Sequence, residues 1–180
     1  MERKIVDLGI GRGGEYIRQD RVHRIGLDLR HMNLQRCQMD YGILPLRADA
    51  NMALPLSTSS VDGVDCFFPH HSLVLGLTQT NIWYEIKRII KPEGNVRLIF
   101  DSCKEGRVIL DERRQHIITI SDLEYDIEEA AHSAGFLTQS LLLSPSEVVQ
   151  LGTIFSKKVT QRMDKCCGDF HMLHQITAVI

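Results

Sequence analysis

The sequence predicts an α/β fold, a three-layer sandwich around a mostly parallel, roughly seven-stranded sheet with an antiparallel pair at one edge. Three observations lead to this fold class. Short apolar segments alternate with amphipathic helical segments in the first half of the chain, and a glycine-rich turn follows the first apolar segment. After about residue 102 the alternation breaks, and two late strands flank an inserted helical segment.

The predicted strands are short runs of aliphatic and β-branched residues that end at a glycine, a proline or a polar turn. The first strand runs into the glycines after Leu8, and the fourth ends at Pro69. The seven predicted strands cover residues 4–8, 23–29, 44–48, 64–68, 96–100, 137–143 and 170–179.

The predicted helices carry apolar residues at spacings of three and four. The clearest covers residues 79–90, places Trp83 on an apolar face and is predicted to end in the turn 91–94. A capping box at Ser121 and Glu124 begins another helix, which runs to residue 134. Further helices are predicted over residues 15–19, 32–41 and 145–165.

Length and composition predict one domain over residues 1–180, with a helical insertion at 145–168. The chain has 180 residues, of which 43% are hydrophobic and 24% charged, as in an ordinary globular protein. A chain of this length buries roughly 70% of its unfolded surface. It contains no linker long enough to divide it.

The charge balance excludes a strongly basic nucleic-acid coat, although a local basic patch is compatible with it. Lys and Arg number 21, Asp and Glu number 23, and the net charge is -2. No apolar run approaches the ~20 residues that span a bilayer, so no membrane partner is expected. The five cysteines lack framework spacing, and we expect reduced thiols in a cytoplasmic protein.

The string DLGIGRGG at positions 7–14 is the strongest candidate binding motif. Gly9, Gly11 and Gly14 fit the G-x-G-x-x-G pattern of a dinucleotide site. Asp7, Gly9, Gly11 and Gly13 fit D-x-G-x-G-x-G, the nucleotide turn of S-adenosylmethionine-dependent methyltransferases. Glycines at a strand-to-helix turn allow a ligand to touch the main chain.

Two carboxylates bear on the choice between these patterns. Asp7 would repel a pyrophosphate but attract S-adenosylmethionine, which carries an ammonium and a sulfonium. Asp28 ends the second predicted strand and can accept both ribose hydroxyls, each bond contributing ~1.5–3 kcal/mol. Both ligands contain a ribose, so Asp28 indicates a nucleoside without identifying it.

The chain resembles the class I S-adenosylmethionine-dependent methyltransferases in several blocks that occur in the right order. These blocks cover residues 4–101 and about 121–143. Beyond the glycine turn they comprise residues 49–50, 54–56, 60–65, 86–94 and 134–136.

The resemblance implies S-adenosylmethionine as the cofactor and a methyltransferase activity. By analogy, Asp7, Gly9, Gly11 and Gly13 would surround the methionine part. Asp28 and its neighbour Leu29 would contact the ribose, and Asp49 with Ala50 the adenine edge.

Two features depart from the family pattern. The first helix is short, and the chain begins at the first strand without the N-terminal extension that often covers the cofactor. A neighbouring copy in a homo-oligomer is one way to close such a site.

The acceptor is expected to meet the segment that follows the fourth strand, at Phe68, Pro69 and His70. The pattern Phe-Pro-x-x-x-Leu there resembles the loop of ribosomal RNA adenine-N1 methyltransferases of the aminoglycoside-resistance type. The helical segment around Phe155 resembles the last insertion of that family. His70 and Phe155 would then stand where two tryptophans hold a flipped base.

The acceptor is left open between a small molecule, which is slightly favoured, and an RNA base nitrogen. Binding to a ribosome needs stronger phosphate neutralisation than the late segment offers, because its basic residues alternate with acids. No Pro-Cys pair follows the fourth strand, so Cys66 is not expected to act as a covalent nucleophile. His70 as a plain loop residue and Phe155 as a packing residue are the simpler interpretations.

Two other functions remain open. One is a non-catalytic module that binds S-adenosylmethionine or S-adenosylhomocysteine. The other is an NAD-dependent oxidoreductase, which only the Gly9, Gly11 and Gly14 spacing and Asp28 support.

No metal is expected, since His171 and His174 would point to opposite faces of a strand. The early arginines are predicted to form mostly a solvated face: Arg12, Arg18, Arg21, Arg24, Arg30 and Arg36.

Overall fold

The computed structural model describes residues 3–10, 22–102, 107–111, 116–144, 147 and 172–180. These residues form nine strands and four helices. The strands are β1 (Arg3–Leu8), β2 (Val22–Asp28), β3 (Leu44–Arg47), β4 (Val61–Phe67), β5 (Ile90–Ser102), β6 (Arg107–Asp111), β7 (His116–Thr119), β8 (Leu137–Leu142) and β9 (Met172–Val179). The helices are α1 (His31–Tyr41), α2 (His71–Leu77), α3 (Thr80–Ile89) and α4 (Ile120–Ser133).

Seven of these strands form one sheet in the order β3-β2-β1-β4-β5-β9-β8. β9 runs antiparallel to both of its neighbours, β5 and β8, and the other neighbouring pairs are parallel. The predicted fold class, a mostly parallel seven-stranded sheet with antiparallel pairing at one edge, is confirmed. β6 and β7 form a separate antiparallel hairpin.

The two faces of the sheet carry two apolar clusters, because successive side chains of a strand point to opposite faces. The main cluster lies between one face and helices α2, α3 and α4, and includes Val6, Val64 and Trp83. The second cluster lies on the other face, next to α1. Its buried members are Ile10, Leu34, Cys37, Ile43, Phe67, Ile99 and Leu173.

Trp83 lies in the centre of the main cluster, as the sequence predicts. Its side chain is fully buried, and its ring packs edge-on against Phe136 with the centroids 5.3 Å apart. The indole Nε1 donates a hydrogen bond to the Leu77 carbonyl at 2.8 Å. Trp83 therefore connects α3 to the end of α2 and to Phe136, which follows α4.

The predicted turn at 91–94 is instead a bulge within β5. Ile90 pairs with Val61, and Asn95 pairs with Gly63, so six residues of β5 (90–95) oppose three of β4 (61–63). A Cβ at Gly94 would lie 2.4 Å from Ile90 Cγ2, which explains the glycine. The bulge brings the Lys91 ammonium to Asp62, 2.6 Å away, and this contact lowers the pKa of Asp62.

The N-cap of α4 also differs from the prediction. The capping side chain is Thr119, whose Oγ1 accepts the Asp122 N–H at 3.1 Å, rather than Ser121. At the other end Gly135 adopts the left-handed conformation, φ +84°, and terminates the helix.

Helix α2 and the two strands of the hairpin, β6 and β7, were not predicted. The predicted helix at 15–19 lies outside the described residues, and so does the insertion at 145–168 apart from Glu147. The extent of the insertion and the assignment of residues 1–180 to one domain stay predictions. Among the described helices, none combines the length and the apolarity that a bilayer crossing requires.

Candidate functional site

The residues that follow β1, β2 and β4 lie at one edge of the sheet, because these strands are parallel. Gly9 follows β1, Asp28 is the last residue of β2, and Phe68 follows β4. The chain proceeds from β1 to β2 on one side and places β4 on the other, so the strand order reverses between β1 and β4. Open α/β sheets bind their ligands at such a reversal.

Gly9 occupies a position that only glycine suits. Its φ is +66°, and its N–H and that of Ile10 donate to the Leu27 carbonyl at 2.9 and 3.1 Å. A Cβ at this position would lie 2.7 Å from Leu73 Cδ2 on α2. The turn is therefore hydrogen-bonded to β2 and packed against α2. The other two predicted glycines, Gly11 and Gly13, lie outside the described residues.

Gly9→Ala is expected to lower the free energy of unfolding by about 2–4 kcal/mol in urea unfolding. The left-handed backbone costs a residue with a Cβ about 1–2 kcal/mol, and displacement of Leu73 costs about as much again. Gly42→Ala is the matched control, since Gly42 has a similar φ of +58° at the far end of α1. Equal losses for the two variants would show that the contact with Leu73 has no energetic weight.

Asp28 is held in place at the tip of β2. One carboxylate oxygen accepts the Arg30 N–H at 2.7 Å, and the other accepts Asn33 Nδ2 at 3.1 Å. The residue is only 9% exposed, whereas the adjacent Leu29 side chain is 55% exposed. These two hydrogen bonds orient the Asp28 carboxylate at the tip of β2.

Asp49 and Ala50 form a turn after β3 at the same edge of the sheet. The Asp49 carboxylate accepts both the N–H and the Nδ2 of Asn51, at 3.0 and 3.1 Å. Ala50 is buried in the main cluster. The Asn51 side chain lies so close to Gly76 of α2 that a Cβ there would be 1.8 Å from its Oδ1. This turn is therefore fixed against α2.

The predicted acceptor segment begins with a strained residue. Phe68 has a φ of +50°, which is unusual for a residue with a side chain, and its N–H donates to the Ile99 carbonyl at 2.8 Å. Its ring packs on the second cluster. Pro69 is half-buried. The exposed His70 is the N-cap residue of α2 but makes no side-chain capping bond to the backbone; its Nδ1 lies 3.2 Å from Ser72 Oγ. Phe155 lies outside the described residues.

A charge network next to the site was not predicted. Arg24 Nη1 lies 2.7 Å from Asp7 Oδ1 and 3.0 Å from Asp65 Oδ2. Arg97 donates to both oxygens of Asp65, each at 2.9 Å. Arg24 is only 14% exposed, which departs from its predicted place on a solvated face. The network links β2, β1, β4 and β5 across one face of the sheet.

Asp7 is the least satisfied member of this network. Its side chain is fully buried, and its Oδ2 has no hydrogen-bond partner among the described residues. Burial, opposed by the Arg24 guanidinium and reinforced by the Asp65 charge, raises the pKa of Asp7 to about 7. Asp7 therefore takes up a proton close to neutral pH, unless a cation reaches Oδ2.

Cys66 points to the opposite face and into the main cluster. Its burial, followed by the Asp65 and Asp7 charges, strongly raises the pKa of the thiol. A buried, protonated thiol is a poor nucleophile, in agreement with the interpretation of Cys66 as unreactive.

His174 is engaged in an internal contact. Its Nδ1 lies 3.0 Å from Glu124 Oε1, which joins β9 to α4. Within the part of the chain that the structure describes, no group of three His, Cys, Asp or Glu side chains is arranged to hold a metal ion.

Comparisons with known proteins identify the fold but no family by sequence. No family model matches the chain, and no curated protein matches it. Among solved structures, the phosphoethanolamine N-methyltransferase 2 of Haemonchus contortus in complex with S-adenosyl-L-methionine superposes with a TM-score of 0.64 at 17% identity. The superposition covers 99% of this chain and 49% of that one, so the chain spans about half the length of that enzyme.

Two further structures superpose equally well. The Haloferax volcanii protein described as a methyltransferase, in complex with the activator Trm112, gives a TM-score of 0.64 at 19% identity over 100% of this chain and 85% of that one. The [4+2]-cyclase SpnF gives a TM-score of 0.65 at 14% identity over 99% and 75%. None of the three is named as a ribosomal RNA methyltransferase, so that resemblance stays a prediction. The chain has the fold of the class I S-adenosylmethionine-dependent methyltransferases.

Proposed function

We propose that this chain binds S-adenosylmethionine at the carboxyl ends of β1 and β2 and transfers its methyl group to an acceptor. The observation that carries the proposal is the pairing of the Gly9 turn with Asp28 on neighbouring strand tips, at the reversal of strand order. The phosphoethanolamine methyltransferase, which shares this fold, was solved with S-adenosylmethionine bound.

Each part of the cofactor has a proposed partner. Asp28 accepts the ribose hydroxyls, and the half-exposed Leu29 side chain lies beside them. The Asp49–Ala50 turn borders the adenine. Asp7, Gly9, Gly11 and Gly13 surround the methionine part, where the Asp7 carboxylate attracts its ammonium. Of these, Gly11 and Gly13 are assigned from the sequence alone.

Methyl transfer makes modest demands on the protein. An electron pair of the acceptor attacks the methyl carbon, the carbon–sulfur bond breaks, and the sulfonium becomes the neutral thioether of S-adenosylhomocysteine. Alignment of the two reactants can contribute roughly 7–11 kcal/mol, so no general base is needed when the acceptor arrives neutral or anionic. We assign the alignment of the acceptor to Phe68, Pro69, His70 and Phe155.

We propose an acceptor that is either a small molecule or an RNA base nitrogen. The exposed ring of His70 at the start of α2 is accessible to both. The buried cysteines Cys37 and Cys66 suit a reducing, cytoplasmic setting, and a homo-oligomer is one way to cover the site.

Asp28→Ala is expected to weaken the binding of S-adenosylhomocysteine by about 2 kcal/mol, or roughly thirtyfold, in titration calorimetry. The variant removes the acceptor of both ribose hydroxyls. Glu129→Ala, an exposed acid on α4, is the control and should bind as the unaltered protein does. Heat with S-adenosylmethionine and S-adenosylhomocysteine but not with NAD is expected. Binding of NAD alone would overturn the proposal in favour of an oxidoreductase.

A non-catalytic binding module is the second candidate, because the fold alone does not establish methyl transfer: it also occurs in a protein named as a [4+2]-cyclase. A radiolabelled methyl donor offered with ribosomal subunits, transfer RNA and a metabolite extract separates the two. Transfer of label to one of these identifies the acceptor class. Cofactor binding without any transfer would favour the binding module.

A further inference from the structure

Two buried carboxylates share one guanidinium nitrogen in the charge network. Arg24 Nη1 serves Asp7 and Asp65 together, and Asp65 alone receives two additional bonds from Arg97. Asp65 thus has three donors over its two oxygens, whereas Asp7 has one donor on one oxygen. Like charges in a buried site cannot both be stabilised without sufficient donors, so the poorly served carboxylate is the one that takes up a proton.

Among the described residues, three charged side chains shift the pKa of Asp7: Arg24, Asp65 and Arg97. Arg24 comes from β2, Asp65 from β4 and Arg97 from β5. α1, which packs beside β2, supplies Leu34 and the Cys37 thiol to the neighbouring second cluster. The charge of Asp7 is therefore governed by its burial and by these three side chains.

We propose that Arg24 and Asp65 are positioning residues that set the charge of Asp7, so that the site holds the cofactor's ammonium only when Asp7 has lost its proton. This inference rests on the proposed function, and it adds a proton linkage to cofactor binding. Arg24 fixes Oδ1 and leaves Oδ2 for the ligand, while the Asp65 charge opposes ionisation of Asp7 in the empty site. Burial of the Asp7 side chain is the largest cause of its raised pKa of about 7; the Arg24 cation opposes this shift and the Asp65 charge adds to it.

The expected result is a pH-dependent affinity for S-adenosylhomocysteine, a stable probe that carries the ammonium. Because binding selects the ionised form of Asp7, affinity should fall about tenfold from about pH 8 to about pH 6. 5′-Methylthioadenosine has the same nucleoside but no amino-acid part, and its affinity should change less than about twofold. An equal pH dependence for both compounds would overturn the inference, because another group would then be responsible.

Asp65→Asn tests the role of the network. It removes the repelling charge and frees Arg24 for Asp7, so the pKa of Asp7 should fall and the tenfold change should shrink below about threefold. Asp62→Asn is the matched control on the same strand, since Asp62 pairs with Lys91 instead. It should keep the full pH dependence. A tenfold change that persists in Asp65→Asn would overturn the inference.

Arg97→Gln provides a second test if Asp65→Asn fails to fold. Loss of this cation should move the midpoint of the pH dependence upward, opposite in direction to Asp65→Asn. An unmoved midpoint would contradict the proposed network. Different results would contradict the two proposals. Absence of S-adenosylhomocysteine binding at every pH would contradict the proposed function, whereas binding without pH dependence would contradict only the proton linkage.

Discussion

Trp83→Ala is expected to lower the free energy of unfolding by about 3–5 kcal/mol, the largest stability loss we predict for this chain. The variant leaves a cavity at the centre of the main cluster and removes the edge-on contact with Phe136. It also leaves the buried Leu77 carbonyl without its indole donor. Urea unfolding followed by circular dichroism measures the loss without needing tryptophan fluorescence.

Tyr84→Ala is the control for this loss, because Tyr84 is the next residue of α3 and is exposed. It should cost less than about 1 kcal/mol. Trp83→Phe should fall between the two, since it keeps an aromatic ring but not the bond to Leu77. A loss from Trp83→Ala that is no greater than that from Tyr84→Ala would contradict the central place of Trp83 in the fold.

The parts of the fold that the sequence predicts are those with local signals. The helical spacing of apolar residues around Trp83 and the β-branched runs of β1 and β4 repeat within a few residues, so they identify α3 and the core strands. α2 lacks such a signal, because its seven residues, HSLVLGL, are too few to show a helical repeat of apolar positions. The end of α3 before residue 91 is predicted correctly, but the turn expected at 91–94 is a bulge of β5, because Pro92 and Gly94 are compatible with both.

The residues of the candidate site can likewise be predicted only where the signal is local. Gly9 and Asp28 are predictable because a glycine turn after one strand and an acid at the tip of the next are short patterns. The ion pairs of Arg24 are not, since Asp65 lies 41 residues away and becomes a neighbour only through the register of β1 with β4. In the sequence Arg24 is one arginine among several near the N-terminus. Non-local pairing therefore determines the charge of a residue whose identity is predictable locally.

Asp7→Asn is expected to change stability and binding in opposite directions. The pKa of Asp7 is raised from 3.8 to about 7 in the folded protein, so folding takes up a proton between these values. Stability that depends on this group is present at low pH and lost as pH rises towards about 7. Asparagine does not titrate. From about pH 5 to about pH 7.5, the difference in unfolding free energy should therefore move in the variant's favour, by on the order of 2 kcal/mol.

Cofactor binding should show the converse in the same variant. At about pH 8 the ionised carboxylate of the unaltered protein makes a charge-assisted bond to the ammonium, and Asp7→Asn should weaken S-adenosylhomocysteine binding by roughly 10- to 100-fold. At about pH 5.5 Asp7 is protonated, so the two proteins should bind with affinities within about threefold of each other. Asp62→Asn should show neither the drift in stability over this window nor the loss of affinity, because the pKa of Asp62 is lowered and the residue pairs with Lys91 at the other end of β4. If Asp7→Asn lowered both stability and affinity at every pH, Asp7 would serve the fold alone. A carboxylate that faces the ligand instead destabilises the empty site and strengthens binding in the occupied one.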